Sequence, residues 1–454
     1  MRGYFQPPLP LESCTECPPA LGLTRLLLIV IVLAMVAGCR GDGGSTAEGR
    51  KPLNVFFLLI STKQVEFYEW AERQFEAANP DVDVIFEQFP GTSLKDYEIK
   101  IRLRYASGDP PDVWYFRENL LAEFVDLDLL AEAPPYIERI VQENSLNEMI
   151  RQAPYFDGIC YGIAHNAAWQ ALYYNKDMFR EAGLDPERPP ETWDELLDYA
   201  ELLTERRADG GVERAGISLR KTGYSPGTAE KWLTFFYSAG GTPFDADGSK
   251  SLFDSEAGRA TNEFYEEVFR RKLDSVEHEG DQQGFGQGRV AMFIRELHVV
   301  DWMRTNYPNV DFGVAKIPVP DTSFTSYSSG GSYPFVVSKG SDVEETAWRF
   351  IEFLMSDEPY TKYMQMLNEL PMLKSVAALP EFSEDPYVRT FLEQPVYIPP
   401  KFPHDKRSLA ILGAYIERLA YGHLTSEEML ERATHDIDAH LRTNRERRQR
   451  TAGL

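Results

Sequence analysis

The residue types that could do covalent or metal chemistry are present in this chain, but their spacing does not assemble them. His435 and His440 stand five apart rather than four, so they do not form a helical zinc pair. Cys14-x-x-Cys17 is half of a zinc or redox site, with no second pair to complete it. Asp245 and Asp247 begin like a calcium loop, but the later ligands and the closing Glu are missing, and an Asp-Gly hairpin turn over 245–248 fits better. Gly330-Gly331 lacks the Gly-Lys-Ser/Thr that a phosphate loop requires. Neither G-x-S-x-G nor H-E-x-x-H occurs. Two carboxylates about 5 to 9.5 Å apart would serve a secreted glycan hydrolase, but no acidic residue stands in a recognisable catalytic motif. The expectation is a protein that is not an enzyme, with no metal and no cofactor.

The elements that must position any site are clearer. "LNVFFLLIS" from Leu53 reads as a buried strand, and Val65, Tyr68, Phe75 and Ala78 follow as a helical stripe that stops at Asn79-Pro80. "VDVIFEQF" alternates as a strand, Leu94, Tyr97, Ile101 and Tyr105 recur at helical spacing, and "PPDVWYF" gives a third strand. This βαβαβ run is the opening of an open parallel sheet, in which ligands bind at the carboxyl ends of strands, here after Leu59 and after Val113. Thr192 with Glu195 and Thr425 with Glu428 make capping boxes. The first box opens a helix with Trp193, Leu196, Leu197, Ala200 and Leu203 on one face, the second a helix with Leu430, Ala433, Ile437 and Leu441.

Composition and the leader set the surroundings. At 43% hydrophobic and 13% aromatic the chain has the makings of real cores, and its length suits two domains. A net charge of -24 argues against nucleic acid and against lying flat on anionic lipid. The run "LLLIVIVLAMVAGC", Leu26 to Cys39, is shorter than the roughly 20 residues of a membrane-crossing helix and suits a signal peptide flanked by Arg25. Its last four residues, Val36-Ala37-Gly38-Cys39, resemble the lipobox of bacterial lipoproteins. That resemblance implies removal of 1–38 and lipidation of Cys39, with 39–52 a flexible tether. Met1 to Thr24 is an unusual preface for a signal, and a start near Leu21 or Leu23 would give an ordinary one. Only Cys160 would remain as a free thiol, and 446–454 forms a basic tail.

Several collinear segments resemble the family 1 extracellular solute-binding proteins of ABC importers. The most specific is "YGIAHNAAWQALYYNKDMFREAGLDPERPPETWDELL" from Tyr161 to Leu197. Around it stand "SGDPPDVWYF", "AGGTPFDADG", "FGQGRVAMF", "GVAKIPVP", "GGSYPFVVSKGS" and "YGHLTSEEML". Ala164 replaces a proline common in relatives, and Glu296 and His298 replace a glycine and a tryptophan. The resemblance implies an α/β, periplasmic-binding-protein type II fold, two α/β domains joined by a multi-crossing hinge with a ligand cleft between them. The implied lobes are 53–166 plus 313–371 and 167–312 plus 372–445, with crossings near Asn166 to Trp169, Asp311 to Gly313 and Leu370 to Pro371.

It also implies a monomeric, lipid-anchored extracytoplasmic receptor that delivers a carbohydrate or related polar small molecule to ABC permease subunits. A ligand-sensing lipoprotein would use the same cleft. A sugar site wants aromatic floors and charged or amide edges. The family motifs place candidates at Thr62, Lys63, Phe116, Arg117, Asn119, Asn166, Trp169, Trp232, Arg295, Glu296, His298, Ser329, Gly330, Gly331, Tyr333, Asp405 and Arg407. As alternatives, Trp232, Trp169 and Phe116 suit core packing, Lys63, Arg117 and Arg407 a solvated surface, His298 a satisfied core position, and Gly330-Gly331 a tight turn. The glycine-rich turn is further expected to offer free amides to hydroxyls or an anion.

Overall fold

The computed structural model describes residues 49–59, 61–89, 93–221, 225–275, 281–398 and 406–452. Cys14, Cys17, the Leu26 to Cys39 run and Asp405 lie outside them. The expected βαβαβ run is present as β1 (Lys51–Leu58), α1 (Thr62–Ala78), β2 (Val82–Phe89), α2 (Leu94–Ser107) and β3 (Val113–Tyr115). Ser61 and Ser93 cap the two helices, each side chain accepting an amide three residues on. The buried face of α1 is rotated from the expected stripe: Phe67, Tyr68, Ala71 and Phe75 are inside, Val65 is half-buried and Ala78 exposed.

Six further strands complete the functional frame. A hairpin of β4 (Tyr155–Phe156) and β5 (Ile159–Cys160) precedes the long β6 (Ile163–Asn175), and β7 (Met292–Glu296), β8 (Phe312–Ala315) and β9 (Gly330–Val337) follow. The order in the main sheet is β8-β6-β9-β3-β1-β2, with β7 also pairing with β6. β1 runs parallel to β2 and β3, but β9 is antiparallel to both β3 and β6. The parallel reading therefore holds for the opening only, because β9 re-enters the sheet from the far end after a long excursion.

β6 changes partners along its length. Ile163 to Trp169 pair with β9, while Gln170 to Asn175 pair with β7 and β8. Gly313 pairs with Tyr174, and the chain enters β9 at Gly330. Ser145 bridges Leu373, and Val376, Phe382, Val388 and Phe391 belong to the first of two buried clusters. That cluster surrounds β1, β3 and β9. The second gathers Leu172, Trp193, Trp232, Phe235, Phe264, Leu412 and Ile437.

Among the later helices are α3 (Trp193–Leu203), α4 (Ser225–Ser238), α5 (His298–Asn306), α6 (Lys406–Ala420) and α7 (Ser426–Ala452), all but α5 contributing to the second cluster. Val299, Val300 and Met303 of α5 instead face the first cluster. Both expected caps form. The Glu195 amide donates to Thr192 at 3.3 Å, and Thr425 and Glu428 exchange bonds reciprocally at 3.1 and 3.2 Å. Residues 245–248 turn as expected, with the Asp245 amide donating to the Lys250 carbonyl and Gly248 at φ 65°.

Candidate functional site

The chain turns sharply after β3, where ligands are expected in such a sheet. Phe116 is wholly buried between Trp114 and Phe124, at ring distances of 5.1 and 5.3 Å, and this anchors the turn. The next three residues, Arg117, Glu118 and Asn119, are thereby held at the wall of a cavity of about 330 Å³. Leu121, Ala122, Met149 and Gln152 extend that wall to the β4–β5 hairpin. Asp157 and Gly158 form its turn, both with positive φ, at 49° and 83°. Tyr155 and Phe156 line the cavity beside the turn. The Tyr155 ring is pinned at its hydroxyl, which accepts from Gln142 at 2.6 Å and donates to Glu138 at 3.1 Å.

The opposite wall is α4. Glu230, Leu233 and Tyr237 recur at helical spacing and face the cavity, while Trp232, Phe235 and Phe236 point into the second cluster. Tyr397 lies flat on Tyr237, ring centres 3.9 Å apart and planes within 6°. Ile398 and Leu409 close this side.

Ser329 and Gly330 form the floor, tied to α4 through Thr234. The Ser329 amide donates to Thr234 Oγ1 at 3.1 Å, and that hydroxyl donates to Gln170 Oε1 at 2.7 Å.

The two walls meet in an ion pair, Arg117 Nη1 to Glu230 Oε1 at 2.5 Å. Glu118 accepts the Ser332 amide. Burial pushes the Glu118 carboxyl up to about 7 even though Arg117 and the Ser332 amide favour its ionised form. Gly331 lies against this group: a Cβ there would stand 2.9 Å from Arg117 Nε and 3.0 Å from Glu118 Oε1. Tyr333 sits in the same field, its hydroxyl pushed up to about 12 by burial, with Arg117 opposing and Glu230, Glu118 and Glu296 adding to it.

Behind lies a second charged group, Glu296 between Lys231 and Arg295, the Arg295 Nε at 3.0 Å. Burial alone would raise the Glu296 carboxyl, but Lys231, Arg295 and His298 outweigh it and hold it below the ordinary carboxylate range.

Of the expected contacts, Arg117, Asn119, Ser329 and Gly330 line the cavity, and Gly331, Tyr333, Arg295 and Glu296 form its immediate backing. Others do not reach it. Trp232 is fully buried, stacked on Phe236 at 5.1 Å and donating its indole N–H to Asn262 at 2.9 Å, so it is a core residue rather than a floor. Trp169 is buried too, its indole donating to the Phe391 carbonyl at 2.8 Å. Phe116 supports the turn from behind. Thr62 and Lys63 are exposed in the first turn of α1, His298 is exposed at the start of α5, and Arg407 is exposed near the start of α6.

Asn166 is half-buried and hydrogen-bonds Glu369, whose carboxyl burial pushes up to about 7. Beside the glycine-rich turn, the Ser329 and Ser332 amides donate to Thr234 and Glu118. Glu118, Glu230, the β4–β5 hairpin, Tyr237 and Tyr397 were not anticipated. The Asp157-Gly158 turn signal and the neighbouring Arg117 could have found two of these.

A family model described as bacterial extracellular solute-binding protein matches residues 61–361. A binding protein of Brucella abortus (strain 2308) is 27% identical over 324 residues, 70% of this chain and 75% of that one. The sn-glycerol-3-phosphate-binding periplasmic protein UgpB of Escherichia coli (strain K12) is 26% identical over 255 residues, 52% and 55% of the two chains. Among solved structures, the cyclic alpha-maltosyl-1,6-maltose binding protein from Arthrobacter globiformis superimposes with a TM-score of 0.74 at 21% identity, covering 87% of this chain and 100% of that one. The sugar-binding protein MalE from Xanthomonas citri gives 0.72 at 21% identity, covering 87% and 98%. These share the two-domain α/β fold, and they are binding proteins rather than enzymes. The chain belongs to the bacterial extracellular solute-binding proteins.

Proposed function

We propose that this extracytoplasmic protein captures a carbohydrate in the cavity between the Arg117 to Gly158 wall and α4, and delivers it to the permease of an ABC importer. The observation that carries the reading is the pairing of aromatic faces, Tyr155, Phe156 and the Tyr237–Tyr397 stack, with polar edges at Arg117, Glu118, Asn119 and Glu230 in one cavity of about 330 Å³. Such a mixture suits a sugar, which offers apolar C–H faces and a rim of hydroxyls. Maltose-type and tagatose-bound neighbours support the same class.

Two lobes would close on the solute, since the two walls stand on either side of the β6 exchange at Trp169 and Gln170. Shifting such a hinge from 1:99 to 99:1 requires about 5.5 kcal/mol of preference for the closed form, which contacts from both walls at once would supply. Cys39 would carry the lipid anchor, so a Cys39→Ser variant should leave the membrane fraction, and its retention there would refute the anchor. A thermal-shift panel of mono- to trisaccharides tests the receptor itself. A ligand at a hundred times its Kd stabilises by about 2.7 kcal/mol, and a panel without any shift would overturn the reading.

A further inference from the structure

The charge lining the cavity is one-sided among the described residues. Its charged lining consists of one cation, Arg117, against three carboxylates, Glu118, Asp157 and Glu230, among the described residues. Arg117 is engaged, 2.5 Å from Glu230 and beside Glu118. The two cations behind it, Lys231 and Arg295, both close on Glu296. The Asn119 side-chain oxygen is buried with no partner, a further acceptor without a donor. The backbone amides nearest the floor, Ser329 and Ser332, already donate to Thr234 and Glu118.

A phosphate ester or a sugar acid brings only acceptors and a negative charge. Among the described residues it would meet no cation at this face that is not already paired with a carboxylate, and it would lie beside Glu118 and Glu230, whose like charge repels it. A protonated amine brings three donors and a positive charge.

We infer that the solute presents an amino group, and not a phosphate or carboxylate, to the face formed by Glu118, Asn119 and Glu230: an amino-bearing saccharide is the ligand class this cavity selects. The inference rests on the carbohydrate-receptor reading above. It separates this chain from the relative that binds sn-glycerol-3-phosphate, although the two share a family.

The test uses the full chain and a panel of mono- to trisaccharides of several stereochemistries, each in hydroxyl, amino, and acid or phosphate form. sn-Glycerol-3-phosphate is included, and binding is read by thermal shift and titration calorimetry. The amino form of the best-binding sugar should bind about tenfold or more tighter than its hydroxyl form, the effect of a charge-assisted hydrogen bond, and the anionic forms should give no shift. Glu118→Gln and Glu230→Gln should each shrink the amino advantage, a change that general loss of fold would not produce because both forms would weaken together. Equal binding of amino and hydroxyl forms, or binding of an anionic form at least as tight as the hydroxyl form, overturns the inference and leaves the receptor standing. Absence of binding by every member overturns both.

Discussion

Gly331→Ala should separate binding from folding. The backbone φ at Gly331 lies outside the left-handed region, so alanine meets no conformational penalty there. What the new methyl meets is Arg117, at 2.9 Å from Nε and Nη2, about 0.5 Å inside the 3.4 Å at which ordinary contact begins. These are the ends of a flexible side chain, so the guanidinium moves and the strand stays. It cannot move without loosening its pair with Glu230 across the cavity. A weakened charge-assisted contact between partly buried groups is worth about 1–3 kcal/mol, or roughly a ten- to hundredfold rise in Kd for any solute held between the walls.

The same loss lowers the melting temperature by only a few degrees in a chain of this size. Gly162→Ala is the contrasting case, because its Cβ would collide with the backbone carbonyl of Phe335, which has no rotamer to escape into. It should destabilise more than Gly331→Ala at every temperature. Titration calorimetry and differential scanning calorimetry on both variants decide the matter. Gly331→Ala with wild-type affinity would refute the assignment of Arg117 to the binding face, and a Gly331→Ala protein as unstable as Gly162→Ala would refute the claim that the side chain yields.

Trp232→Ala should destabilise the chain by about 3–5 kcal/mol, as expected for a large buried aromatic, and denaturant titration would show it; a loss below about 1 kcal/mol would contradict its core placement. Tyr397→Ala removes the ring stacked on Tyr237 and should weaken saccharide binding by about tenfold, measured calorimetrically. Glu369 has its carboxyl raised by burial, with Asn166 opposing, so the folded state holds its proton above the unfolded pKa. Its contribution to stability is therefore full below about 4.5 and lost as pH rises through about 7. Stability measured relative to Glu369→Gln should fall between pH 5 and 8, and an unchanged difference would refute it.

How much of this was legible in the sequence depended on whether the signal was local. The first three strands and two helices followed from apolar periodicity, and the topology of that run put the ligand after β3, where Arg117 and Asn119 stand. The caps at Thr192 and Thr425 were equally local. α4 was not readable in the same way, because Trp232, Leu233, Phe235, Phe236 and Tyr237 are apolar nearly all round the helix. Periodicity therefore could not say that Glu230, Leu233 and Tyr237 face the cavity while Trp232 faces away.

The β4 and β5 strands have two residues each, too short to alternate, and only the Asp157-Gly158 turn marks them. Tyr397 stacks on Tyr237 from far along the chain, and pairing over such a sequence separation leaves no local trace.

The thirteen residues of β6 belong to two sets of neighbours: β9 along its first half, β7 and β8 along its second. Neither half of the molecule owns this strand. A protease that cut within 163–175 would unpair β9 on one side and β7 and β8 on the other, so digestion should not release one intact half. For the same reason, recombination between relatives has no seam there: a graft that brings in a new binding wall must also bring a β6 that fits both old and new partners.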